Sequence, residues 1–164
     1  MPTPAVPTID IESKGDEQTA RLIAGMAKRG ADPRPALRNI IEELRLKEDP
    51  WFRSHGGGSW PSLADETRAF KEQHGYPSDD LVRTGEMGAS LTVRSGSNSI
   101  RRVWREGMRF GTSVRYAKFH RYGTGNMPQR DPVVPVDYLT RQRMVNDVKR
   151  YLLVGKLQGG TFVR

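Results

Sequence analysis

Proline and glycine cut this chain into short pieces, and that punctuation limits its fold more than any other feature. Gly30 and Asp32-Pro33 close a first helical run, because the residue before a proline avoids helical geometry. Asp49-Pro50 is expected to stop or kink a second. His55 to Ser59, HGGGS, reads as a flexible hinge between helices, and Gly75 sits where a helix commonly ends in a left-handed residue. Pro128, Pro132 and Pro135 hold Asn126 to Val136 extended.

Between the breakers the periodicities are short. Ile9 and Ile11 alternate with Asp10 and Glu12, a strand pattern. A helix capped by Asp16 is predicted to about Arg29, with Ala20, Ile23, Ala24 and Ala27 on one side. A second runs from about Pro35, its stripe Leu37, Ile40, Ile41 and Leu44. Pro61 to His74 reads as helix with Ser62 as cap and Leu63, Thr67, Phe70 and Lys71 facing one way. A short helix is expected to begin at Thr84. Strands are expected at Ala89 to Arg94, Ile100 to Arg105 and Met108 to Thr112, with Glu106-Gly107 as the tight turn. Asp137 caps a last helix carrying Met144, Val148, Tyr151 and Leu152 on one face. The pattern is α+β: one domain over 1–164, a small and mostly antiparallel sheet with flanking helices, a long hairpin, and extended terminal arms at 1–8 and 156–164.

Charge is concentrated in one place. From Leu91 to Arg130 the bases are Arg94, Arg101, Arg102, Arg105, Arg109, Arg115, Lys118, Arg121 and Arg130, against the single acid Glu106. Their excess equals the +8 of the whole chain, so the remainder is neutral. Nucleic acid and acidic protein surfaces both fit such a stretch. Interleaved Trp104, Phe110, Tyr116, Phe119 and Tyr122 could stack on bases, but Arg and aromatic residues are equally the mark of protein interfaces.

Catalytic chemistry is poorly supported. The absence of cysteine removes disulfides, thiolate nucleophiles and cysteine-based metal sites. The three histidines lie in separate segments without metal-ligand spacing. Glu42-Glu43 and Asp79-Asp80 are adjacent pairs that read as solvated helix surface and loop. Gly56 to Gly58 lacks the Lys-Ser/Thr of a phosphate-binding loop. No cofactor or metal is expected. No apolar run approaches the roughly 20 residues that span a bilayer, and the N-terminus has no signal-peptide pattern. A soluble protein made in the cytoplasm is the expectation.

The order of motifs carries a resemblance. Trp60-Pro-Ser-Leu63 is followed by Thr67 and Lys71, then Leu81-Val-Arg-Thr84-Gly85-Glu-Met87 and Ser90-Leu91. Phe110-Gly111-Thr112, Tyr116-Ala117-Lys-Phe-His120-Arg-Tyr-Gly123 and Pro128-Gln129-Arg130 come next. This series, covering about Trp60 to Arg130, resembles the phage virion morphogenesis family, the tail-completion and neck proteins of tailed phages. Asp131-Pro132-Val133 departs from the aromatic-leucine continuation usual there.

The resemblance implies a structural protein of the virion neck or tail, forming a homomeric six-fold ring that completes the tail or joins it to the head. Its implied partners are its own copies and neighbouring connector and tail proteins, with packaged DNA as a further contact. Trp60, Leu63, Thr67, Lys71, Thr84, Gly85, Tyr116, Ala117, His120, Gly123, Pro128 and Arg130 are then expected to hold the fold. In that role Thr84 would be a helix cap and Arg130 would form a bidentate pair with an acid. His120 reads as a hydrogen-bonding core or interface residue. Arg94, Arg101, Arg102, Trp104, Arg105 and Arg109 are the expected assembly interface. A basic DNA-binding module is the alternative.

Overall fold

The computed structural model describes residues 16–157. Its elements run α1 (Asp16–Ala31), α2 (Arg34–Arg53), α3 (Asp65–Gln73), α4 (Glu86–Thr92), β1 (Ser99–Trp104), β2 (Gly107–Thr112), α5 (Ala117–Tyr122) and α6 (Tyr138–Val154). The architecture is α+β, with helices around one antiparallel two-stranded sheet among the described residues. The expected Ile9–Ile11 strand, and the arms apart from Lys156 and Leu157, lie outside these residues. No described helix is long and apolar enough to cross a membrane.

Helix α2 is the spine, packing against α4, both strands and α6. The expected stripe buries Ile40, Ile41 and Leu44, and Ala36 joins them. The helix does not stop or break at Pro50 but continues to Arg53. Proline costs a helix its backbone donor and crowds the preceding turn. At Pro50 that cost is borne inside the helix, which winds on for three more residues.

The expected hinge is a wound turn. His55, Gly56, Gly57 and Gly58 all take positive φ, between 50° and 80°. Gly56 N donates to Trp51 O at 2.9 Å, Gly58 N to Ser54 O at 2.7 Å, and Trp60 N to His55 O at 3.1 Å. This curl returns Trp60 to the end of α2, where its ring meets Trp51 and Phe52 edge-on at 6.2 and 5.6 Å. Both indoles donate to the Asp131 carbonyl, Trp51 at 3.1 Å and Trp60 at 3.2 Å.

Three further expectations are corrected. Helix α3 starts at Asp65, after Ala64, rather than at Pro61 with Ser62 as cap. Arg130 occupies the Pro61 and Ser62 carbonyls, so neither is available to open a helical ladder. Ala89 to Arg94 is not a strand, since Glu86–Thr92 is helical. Met87, Ser90 and Leu91 are buried at i, i+3 and i+4, a helical period hidden in what reads as alternation. The hairpin turn is Arg105-Glu106, because Trp104 pairs with Gly107. Gly107 lies beneath that ring, where a Cβ would stand 3.1 Å from Trp104 Cζ2.

Helix α6 begins as expected, Asp137 accepting from Thr140 N at 2.7 Å. Helix α1 buries none of its residues, the expected face with Ile23 included. Arg29 fastens it to α6, donating to the Leu152 and Leu153 carbonyls at 2.8 Å each.

Candidate functional site

The hairpin sorts its arginines by strand alternation. Successive side chains on a strand point to opposite faces. Arg101, Val103, Met108 and Phe110 lie on one face, towards α2 and α4. Arg101 spreads its guanidinium over the carbonyls of Leu91, Val93 and Arg94, capping the end of α4. Burial lowers its pKa, and the nearby Arg45 adds to the effect. Arg94 pairs with Glu42 at 2.7 Å, as does Arg45. That Glu42 carboxylate is held below its ordinary pKa, chiefly by Arg45. Two of the six expected interface residues are therefore engaged within the chain.

The other four face outwards. Arg102, Trp104 and Arg109 share the opposite face of the hairpin and Arg105 occupies its turn; all four are exposed. Trp104 keeps 43% of its surface in solvent. Arg102 and Arg109 are direct cross-strand partners, and like charges in that position repel. The exposed face of the hairpin thus sets a large aromatic ring among arginines, two of which repel across the strands.

Most of the motif residues meet somewhere else. Leu63, Thr67, Lys71, Thr84, Tyr116, His120, Pro128 and Arg130 line one cavity of about 580 Å³ between α3, the 76–86 segment, α5 and the 126–130 segment. Lys71 is buried and donates to the Asp79 and Val82 carbonyls at 2.6 and 2.7 Å. Burial also lowers the Lys71 pKa. Arg130 makes a bidentate contact, but with the carbonyls of Pro61 and Ser62 at 2.7 and 2.8 Å and not with an acid. The guanidinium fork offers several N–H donors, and here two of them, Nε and Nη2, serve the two successive carbonyls.

His120 packs edge-on against Tyr116 at 6.0 Å, and burial followed by Arg130 lowers its pKa. Ala117 is buried beside Met87 and Val114. Gly123 takes φ 70°, where a Cβ would press to 3.0 Å from the Met127 carbonyl. The N-cap of α4 is Gly85, with φ 77°, and not the expected Thr84, which lies one residue earlier and accepts from Glu86 N at 3.4 Å through its Oγ1.

Sequence reasoning passed over Glu48, which is fully buried and accepts from Val134 N at 3.1 and 3.3 Å. The signal was present, since Ile40, Leu44 and Glu48 recur at i, i+4 and i+8. Burial pushes the Glu48 carboxyl up to about 8, against the opposing pull of the Val134 amide.

A model of the phage virion morphogenesis family matches residues 15–151. Neither the curated proteins nor the solved structures contain a match to the chain.

Proposed function

This chain belongs to the phage virion morphogenesis family, and from that premise we propose that it acts at the neck of the particle. In this reading its copies form a homomeric six-fold ring that completes the tail or joins it to the head. Connector and tail proteins are its neighbours there. The observation that carries the reading is the outward hairpin face, where Arg102, Trp104 and Arg109 stand together beside Arg105. A ring needs two different patches that meet at every repeat, and an aromatic-arginine surface is well suited to be one of them. The exposed acids Asp65, Glu66 and Glu72 on α3 are the kind of surface that could be the other.

Light scattering of the purified chain over a range of concentrations, with particle symmetry from electron microscopy, tests the ring. Arg102→Glu, Arg105→Glu and Arg109→Glu together should leave circular dichroism unchanged and block assembly. Arg101 stays out of this set because it caps α4. Normal assembly of the triple variant would refute the hairpin contact. The DNA-binding alternative uses the same arginines and predicts affinity that falls steeply with salt. A DNA titration at two salt concentrations separates the readings.

A further inference from the structure

The cavity lined by the motif residues gathers positive charge, and the acids whose charge acts on Lys71, Asp80 and Asp79, are not among its lining residues. Lys71 and Arg130 are 8% and 5% exposed, and both line its wall. Among the described residues each donates only to backbone carbonyls. One Nζ proton of Lys71 and the Nη1 end of Arg130 are left over. His120, on the same wall, has a buried Nδ1 with no partner. Arg83 adds a third cation at the rim, its guanidinium 4.9 Å from the Tyr76 ring centre. The one carboxylate on the wall, Glu86, already accepts from Asn98 at 2.6 Å.

Arg130 makes no ion pair among the described residues, and a buried charge left without a counter-charge is costly. A carboxylate bonded to Lys and Arg forms short, charge-assisted bonds. The rest of the wall is apolar, with Leu63, Leu81, Met127 and Pro128 flanking the cations. A carboxylate carried on an apolar segment fits both halves of the lining.

We infer that this cavity receives a glutamate or aspartate side chain from an apolar segment of a neighbouring virion polypeptide, held by Lys71 and Arg130. The inference depends on the assembly reading only for the source of the acid. Binding is measured on the unassembled chain, so a missing ring and a missing carboxylate site give different results.

The probe is the blocked tripeptide acetyl-Leu-Glu-Leu-amide, titrated into the ¹⁵N-labelled full chain and followed by NMR. Saturable shifts of the Tyr116, His120 and Met127 amides are expected, with the Gln analogue at least ten-fold weaker. Thr67→Trp, at an exposed wall position, fills the cavity without touching a cation and should abolish those shifts while leaving the fold intact. Equal binding of the Glu and Gln peptides overturns the proposal, since the site is then merely apolar. The absence of shifts at these amides overturns it too. A thymidine tetranucleotide that moves them where the peptide does not assigns the cavity to phosphate, and the proposal falls.

Discussion

Arg102 and Arg109 are paired directly across the hairpin, with both side chains exposed. Opposed like charges cost a sheet some tenths of a kcal/mol, up to about 1 kcal/mol. Arg109→Glu converts the pair to opposite charges and should stabilise the dilute protein by that order. The same change should weaken self-association if the hairpin is a contact. Thermal melts at low concentration and sedimentation at high concentration read the two effects separately. A variant that lost stability and kept its assembly would assign these arginines to the fold instead.

Glu48 sets a pH dependence whose sign is opposite to the usual one for a carboxylate. Its pKa is 4.5 in the reference state and about 8 in the fold, so the folded chain holds a proton that the unfolded chain has released between those values. Stability from this group is complete below about pH 4.5 and declines as pH rises to 8, by about 1.4 kcal/mol per unit. Above 8 both states are ionised and the loss is complete. Glu48→Gln cannot ionise and should remove this slope, overtaking the native chain in alkaline solution. Chemical denaturation at pH 5, 7 and 9 measures it; parallel curves for the two proteins would show that Glu48 stays charged in the fold.

Much of this fold was legible because local rules and burial agree. The α2 stripe, the Asp137 cap and Gly75 stand where periodicity and turn chemistry put them, and the two hairpin strands lie within one residue of their expected bounds. The misreading at Ser62 came from a long-range partner that local sequence does not contain, and that at Pro50 from the helix's own end. Ser62 could not be recognised as a clamp point without Arg130, 68 residues away. Pro50 reads as a stop unless it is known that the helix ends three residues later. Within the site, composition marked the hairpin as basic, but only the register divides Arg101, which caps α4, from Arg102, which faces solvent. The motif residues were found individually; their convergence on one cavity depends on how α3 and α5 pack.

Arg130 fixes the entry to α3 and the path of the following loop together. Its side chain holds Pro61 and Ser62, and the next residue, Asp131, accepts from both Trp51 and Trp60. Arg130→Met leaves two carbonyls without their donor and should cost on the order of 3 kcal/mol, given 1.5–3 kcal/mol for a bond to a charged group. Arg130→Lys can satisfy one carbonyl and should cost about half as much. Denaturation followed by tryptophan fluorescence reports the effect, with a red shift expected in the native spectrum of the Met variant. Equal losses for the two variants would mean that charge alone, and not the fork, does the holding.

The three glycines from Gly56 to Gly58 distinguish a socket from a hinge. All have φ between 65° and 80°, so alanine at any of them carries the left-handed penalty of about 1–2 kcal/mol. Their surroundings differ. A Cβ at Gly58 meets nothing within 4 Å, at Gly57 it would stand 3.3 Å from Trp51, and at Gly56 it would overlap the Trp60 indole at 2.2 Å. Gly58→Ala should therefore show the backbone cost alone and Gly57→Ala little more. Gly56→Ala must push out a buried indole and should approach the roughly 3–5 kcal/mol that truncating a buried tryptophan costs. Trp60→Ala supplies that reference value directly. Combining Trp60→Ala with Gly56→Ala should then cost much less than the sum of the two single changes, because the clash disappears with the ring. Urea denaturation of the five variants gives the comparison. Similar losses at all three glycines, additive with Trp60→Ala, would mean that this segment bends the chain without seating the tryptophan.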